Sequence, residues 1–425
     1  MQDQKHTSRT REIAGDLFRR ESARLVAMLI GHFGTHRIEL AEDVVQEALV
    51  RALQTWPYGG VPDNPAAWLT QTARNLAIDH LRREQRWNEK QDGVAHEHSR
   101  WLATGSREEN ADTFTDDTLR MMFVCFHPQL STEAQIAMAL RTLCGLSPAE
   151  IAAAFLTTEA AIAKRLVRAR QRIRDLALPF VVPEPHELPG RLDGVLATLY
   201  LLFNEGYKAS SGDSLVREDL CHEAIRLGLQ LAGHPATRQP RTHALIALML
   251  FNAARLASRT DDAGNLLRLH EQDRSTWNGA MIGRGLHYLA LASSGEEVSE
   301  YHLQAGIAAC HSTAQDEAST DWPRILALYD ELVDINRSPV VALNRSVAVA
   351  RVHGPRAGLK ALDAIPGRAS LEGYAPYHAV RATFSSKTGN QVDALIHFRQ
   401  AHALAATESE RQLCEREIAS LDTRG

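Results

Sequence analysis

Cysteine is scarce. Five residues in a chain of 425, at Cys125, Cys144, Cys221, Cys310 and Cys414, are odd in number, scattered and without a CxxC pair. That excludes a disulfide framework, and reduced core thiols are the expectation. Cys125-Phe126-His127, Cys221-His222, Cys310-His311 and His96-Glu97-His98 crowd metal-ligating types together. Neighbours on a helix point apart, however, and no four-ligand spacing is present, so no metal is expected. The P-loop, GxGxxG, GxSxG and HExxH patterns are all missing, which leaves no enzyme class, no catalytic residue and no cofactor to expect. No run is long and apolar enough to span a bilayer, and the polar segment Met1 to Thr10 lacks the form of a signal peptide. The expectation is a cytoplasmic protein with no membrane partner. Period-two alternation is lacking as well, and an all-α fold remains. At 44% hydrophobic residues, the chain can fill two or three cores.

A formal net charge of -5 looks wrong for a nucleic-acid binder until it is resolved by segment. Ser147 to Arg174 predicts a helix-turn-helix. Ser147 caps a short helix with Pro148 in its first turn and Glu150 closing a capping box, and Thr157-Thr158 begins a second helix. On that helix Ile162, Leu166, Ala169 and Ile173 fall at i, i+4, i+7 and i+11 as one apolar stripe, which leaves Lys164, Arg165, Arg168 and Arg172 facing out. A cationic helix face suits a major groove, where guanidinium groups reach phosphates and guanine edges. An ordinary solvated basic helix would look the same.

A second constellation lies upstream. Ala41 to Leu53 is amphipathic, with Val45, Ala48, Leu49 and Ala52 inward and Asp43, Gln46 and Glu47 outward, and an acidic stripe is of no use to DNA. After a break marked by Pro57, Gly59, Gly60, Pro62 and Pro65, the segment Trp68 to Arg86 sets Leu69, Ala73, Leu76 and His80 on one face and Asn75, Asp79, Arg82 and Arg86 on another.

Asp43-Val44-Val45-Gln46-Glu47-Ala48, Trp68-Leu69, Ala73-Arg74-Asn75 and Asp79-His80-Leu81-Arg82-Arg83 together resemble region two of a bacterial extracytoplasmic-function (ECF) RNA polymerase sigma factor, and the helix-turn-helix resembles region four. The resemblance implies a subunit that binds core RNA polymerase and directs it to promoters. It implies that Asp43, Gln46 and Glu47 dock on the clamp helices of the beta-prime subunit, with the beta flap as a further contact. Trp68, Arg74, Asn75, Asp79, Arg82, Arg83 and Arg86 would serve the minus-ten element, Asn75 lining the pocket for a flipped base. Thr158, Glu159, Ala161, Lys164, Arg165, Arg168 and Arg172 would serve the minus-thirty-five element. Two alternatives stay open: Asp79 as a surface ion pair with Arg82 or Arg83, and Trp68 as a core anchor. The glycine usual in the region-four turn is absent, and Phe155-Leu156 stands in its place.

The expected layout is region two over 8–87, a polar linker over 88–115, region four over 116–178, a stiff Pro-rich linker over 179–190, a helical extension over 191–319 and repeats over 320–425. Extension helices are expected near 191–205, 215–233, 238–258, 261–269, 277–293, 297–313 and 321–336. Around Gly389, Ala382, Ala394, Phe398 and Ala401 have the small and large spacing of a tetratricopeptide (TPR) unit of about 34 residues. One repeat earlier Gly354 marks the equivalent turn, but Leu359 stands where a small residue is expected. A plain array of helical hairpins is the alternative. Leu202 to Tyr207, Glu271 to Ser275, Tyr301 to Ala305 and Ser338 to Arg345 also resemble the ECF group with a long C-terminal extension ending in TPR-like repeats. They form either an internal polar network or a surface for the sigma regions or a protein or peptide regulator. The competing functional reading is a helix-turn-helix regulator with a TPR-like sensor that binds DNA without polymerase.

Overall fold

A computed structural model describes residues 21–22, 24–34, 37–88, 114, 116–175, 183–211, 215–261 and 264–422. The expected linker over 88–115, apart from Asn88 and Phe114, lies outside them, as do the first residues of region two. The described residues form α-helices and short 3-10 turns, with one isolated antiparallel bridge between Thr260 and Leu266. The all-α expectation holds.

The chain divides into two compact units, one comprising residues 1–198 with 234–236 and the other 199–233 with 237–425. In the first unit, helices α1 (Ile38–Gly59) and α2 (Pro65–Asn88) pack together, with Val44, Val45, Ala48, Ala52, Leu69, Ala73 and Leu76 in their core. Contrary to expectation, α1 does not break at Pro57 but runs two residues past it. Pro57 lacks an N–H for the Leu53 carbonyl but its φ suits a helix, and the helix is closed only at Gly60, at φ 78, which donates to the Trp56 carbonyl. Asn64 caps α2 through the Ala67 N–H.

Helices α3 (Asp117–Cys125), α4 (Thr132–Thr142), α5 (Pro148–Ala154) and α6 (Glu159–Asp175) follow. The Ser147 capping box is present, with Glu150 N–H donating to Ser147 Oγ and Ser147 N–H to the Glu150 carboxylate. Ile162, Leu166, Ala169 and Ile173 are buried as the stripe requires. Helix α7 (Leu188–Tyr207) then begins inside the stretch expected to be a non-helical linker. Pro189 costs nothing in a first turn, where no intrahelical N–H bond is due. Residues of α7 up to Thr198 belong to the first unit: Arg191 donates to the Phe123 carbonyl at 3.0 Å, and Gly194 lies so close to Phe126 that a Cβ would sit 2.2 Å from its ring.

The second unit is a run of helical hairpins: α8 (Glu218–Gly233), α9 (Pro240–Ala253), α10 (Gly279–Ala292), α11 (Glu300–Thr313), α12 (Trp322–Ile335), α13 (Pro339–His353), α14 (Pro355–Asp363), α15 (Ala375–Lys387), α16 (Gln391–Leu404) and α17 (Glu408–Asp422). The helix expected over 261–269 is not there. The described residues turn at Gly264, φ 82, with Asp261 accepting from the Asn265 backbone and side chain. Ala382, Ala394, Phe398 and Ala401 are buried between α15 and α16 as their spacing implies.

The four polar runs in the extension are mostly tied into this unit. Glu205, buried, accepts from the Ser210 N–H and pairs with Arg217; Gly206 lies where a Cβ would meet the Cys221 backbone at 2.7 Å. Arg259 donates to the Tyr207 carbonyl and stacks on its ring. Arg274 caps α11 through the His311 and Ala314 carbonyls, His302 closes the Ser299 capping box, and Ser338 caps α13.

Candidate nucleic-acid interface

The outward ridge of α1 carries Asp43, Gln46, Val50 and Leu53 at i, i+3, i+7 and i+10, all exposed. Glu47 is half-buried and engaged by Arg51 at 2.8 Å and His80 at 3.6 Å, so it braces α1 against α2 more than it presents a free charge. Val50 and Leu53, 50% and 52% exposed, were not singled out from sequence. Their signal is a 3.5-residue spacing in step with Asp43 and Gln46, the period of a face that meets a coiled coil.

On α2, Asn75, Asp79, Arg82 and Arg83 are exposed, and Asn75 accepts from the Gln71 amide at 3.0 Å. Among the described residues Asp79 makes no ion pair with Arg82 or Arg83, which sets the surface-pair alternative aside. Arg74 is half-buried. Trp68 is half-buried as well and meets the buried Trp56 edge-on at 5.6 Å, which is the packing of an anchor. The side chain of Arg86 lies outside the described residues.

In the helix-turn-helix, Leu156 occupies the place of the usual glycine and takes its conformation, at φ 50. Thr158 caps α6 by accepting from the Ala161 N–H. Glu159, Lys164, Arg168 and Arg172 are exposed, and Ala161 is half-buried. Arg165 is half-buried, pairs with Glu133 at 2.6 Å and lies over the Phe155 ring. Arg170 and Arg174 turn instead toward α1, bonding Glu42 at 2.7 Å and Glu39 at 3.0 Å, while the Thr142 hydroxyl donates to Glu42 at 2.9 Å. Ala160, Ala163, Val167 and Gln171, also exposed on α6, were missed because a search for cations passes over them. Four cysteines are buried thiols and Cys310 is half-buried; burial pushes Cys125 and Cys221 up to about 12, and neither is a ready nucleophile.

Residues 17–87 match the Sigma-70 region 2 model and residues 120–173 the Sigma-70 region 4 model, while 191–293 match a family of unknown function (DUF6596). An uncharacterized protein of Rhizobium meliloti (strain 1021) is 40% identical over 394 residues, covering 92% of each chain. The two proteins belong to one family. This chain carries sigma-70 regions 2 and 4 ahead of a helical extension. A probable ECF RNA polymerase sigma factor, SigI of Mycobacterium tuberculosis, is a more distant relative, 27% identical over 251 residues that cover 55% of this chain and 84% of that one. No solved structure matches the chain. The two sigma-70 regions give it a sigma-factor-like role in transcription, with core RNA polymerase and promoter DNA as the implied partners. No described helix is long and apolar enough to cross a membrane.

Proposed function

We propose that the chain is an ECF sigma factor that initiates promoter-specific transcription from the bacterial cytoplasm and performs no catalysis of its own. Asp43, Gln46, Val50 and Leu53 would dock on the beta-prime clamp helices, region 4 on the beta flap, α2 on the minus-ten element and α6 on the minus-thirty-five element. The observation that carries this reading is the pairing, in sigma-70 order, of an exposed ridge on α1 that joins the Asp43 carboxylate and Gln46 to Val50 and Leu53 with exposed cationic helices at α2 and α6. Surfaces of opposite character serve two partners: acid for a basic protein surface, cations for phosphate. Purified full-length protein added to core polymerase should support transcription from a promoter of its own genome. Asp43→Lys with Gln46→Lys should abolish co-elution with core and leave the melting temperature unchanged, since both positions are exposed. A protein that shifts promoter DNA alone and ignores core polymerase would be a polymerase-independent regulator instead.

We further propose that the extension sets the activity of the sigma regions, and that its terminal hairpins are TPR-like and receive a protein or peptide regulator. Support comes from the first turns of α7, which pack on region 4 through Arg191 and Gly194. Ending the chain near Pro183 removes that packing, and loss of transcription is the expected direction. Unchanged promoter activity in the shortened protein would refute control by the extension.

A further inference from the structure

Opposite the buried stripe of α6, the residues Ala160, Lys164, Val167 and Gln171 repeat the same i, i+4, i+7 and i+11 spacing and form its outermost ridge. The ridge is not uniformly cationic. Val167 is 62% exposed and is the one large apolar side chain of α6 turned to solvent among the described residues. Ala160 and Ala163, both exposed, are small enough to let a surface approach closely on that side. Gln171 is drawn back along the helix, donating to Asp175 at 2.6 Å and accepting from Arg174 at 2.9 Å. Lys164 and Arg168 flank Val167 on the remaining side. An apolar, branched side chain therefore stands at the centre of the face, with cations beside it.

The chemistry of the major groove narrows what such a side chain can meet. The four base pairs offer hydrogen-bond donors and acceptors there, and the C5 methyl of thymine is the apolar group among them. Valine has nothing to give a guanine O6 or N7, and covering those acceptors without bonding them costs free energy. We propose that Val167 packs against the C5 methyl of a thymine, so that one T·A pair beneath the middle of α6 is a determinant of promoter choice. The inference rests on the reading of region 4 as a major-groove binder and adds the base class that its central apolar residue selects.

Replacing thymine by uracil removes that methyl and leaves the pairing unchanged. Full-length protein assembled with core polymerase would first select duplexes from a random pool. The winning duplex would then be remade with uracil at one thymine at a time across the minus-thirty-five element, on either strand, and its affinity measured at fixed salt. One position should lose about fourfold, the worth of roughly one buried methyl. Val167→Ala should lose a similar factor on the thymine duplex and respond no further to uracil there, while Val167→Ile should keep the response. The proposal is overturned if no position responds to uracil, if the selected element holds no T·A pair, or if the uracil effect survives in Val167→Ala. Failure of the unsubstituted protein to select any duplex would instead sink the sigma reading, and this inference with it.

Discussion

Arg170 donates to the Glu42 carboxylate at 2.7 Å, which joins the recognition helix of region 4 to the first half of α1 in region 2. Arg174 and Glu39 repeat the link one turn away at 3.0 Å, and Thr142 adds a hydroxyl to Glu42. Glu39 and Glu42 lie on the same broad side of α1 as Asp43 and Gln46. In this arrangement region 4 sits beside the start of the ridge that would meet polymerase, while Asp43, Gln46, Val50 and Leu53 themselves stay exposed.

Breaking the Glu42 pair should therefore act in two ways. A double-mutant cycle of Glu42→Gln with Arg170→Met should give a coupling of about 1 kcal/mol, at the upper end for ion pairs that are not fully exposed, and it should shrink with added salt. Arg170→Ala with Arg174→Ala should bind core polymerase more tightly, because region 4 is then released from the side of α1 that would meet polymerase. Zero coupling together with unchanged core affinity would show that the contact is not made in solution.

Leu156 supplies a test of the turn. A left-handed conformation costs an L-residue about 1–2 kcal/mol, and glycine escapes that cost while losing about 0.4–1 kcal/mol to unfolded-chain entropy. Leu156→Gly should thus leave stability within about 1 kcal/mol of the parent in urea denaturation, whereas Leu156→Ile, which conserves volume but is branched at Cβ, should lower it by more. The reverse order would mean that the turn does not hold φ 50.

The missing turn glycine was legible in sequence; the response of the backbone was not, because no local rule says whether a leucine will bend or the turn will reshape. The stripes of α1, α2 and α6 could be read because burial follows a 3.6-residue period. Arg165 and Arg170 could not be placed in the same way. Charge identifies a cation, but Glu133 and Glu42, which hold these two, are 32 and 128 residues away in the chain. The hairpin at Gly354 shows how a count slips. Gly354 closes α13 and opens α14 by itself, whereas Gly389 is followed by Asn390 as a separate cap, so the first hairpin is one residue shorter. Its small residue is accordingly Gly358, whose Cβ would lie 2.5 Å from that of Ala350, and not the position of Leu359.

Close approach makes two glycines unequal in a predictable manner. Gly194→Ala would press a methyl into the Phe126 ring and should cost about 1–3 kcal/mol, part of which Phe126→Leu in the same chain should restore. At Gly206 the obstruction includes backbone, the Cys221 nitrogen at 2.7 Å and the Arg217 oxygen at 2.9 Å, so Cys221→Ala should not rescue Gly206→Ala. Thermal melts of the two single and two double variants decide the matter, and equal rescue at both sites would contradict the geometry.

The strongest pH response should come from His311. Burial, with Arg255, Arg274 and Arg351 nearby, lowers its pKa from the ordinary 6.5 to about 4. Its ring meets Trp322 edge-on at 5.3 Å, and among the described residues its buried Nδ1 has no hydrogen-bond partner. The unfolded chain takes up the proton near pH 6.5 while the folded chain resists until about pH 4, so stability present above pH 6.5 is lost as pH falls through this interval. The full loss is on the order of 3 kcal/mol. Urea denaturation at pH 7 and pH 4.5 should show the parent losing more stability than His311→Phe, a comparison of slopes that a general destabilisation of the variant does not disturb. Equal losses in the two proteins would mean that His311 is already protonated or already solvated in the folded chain.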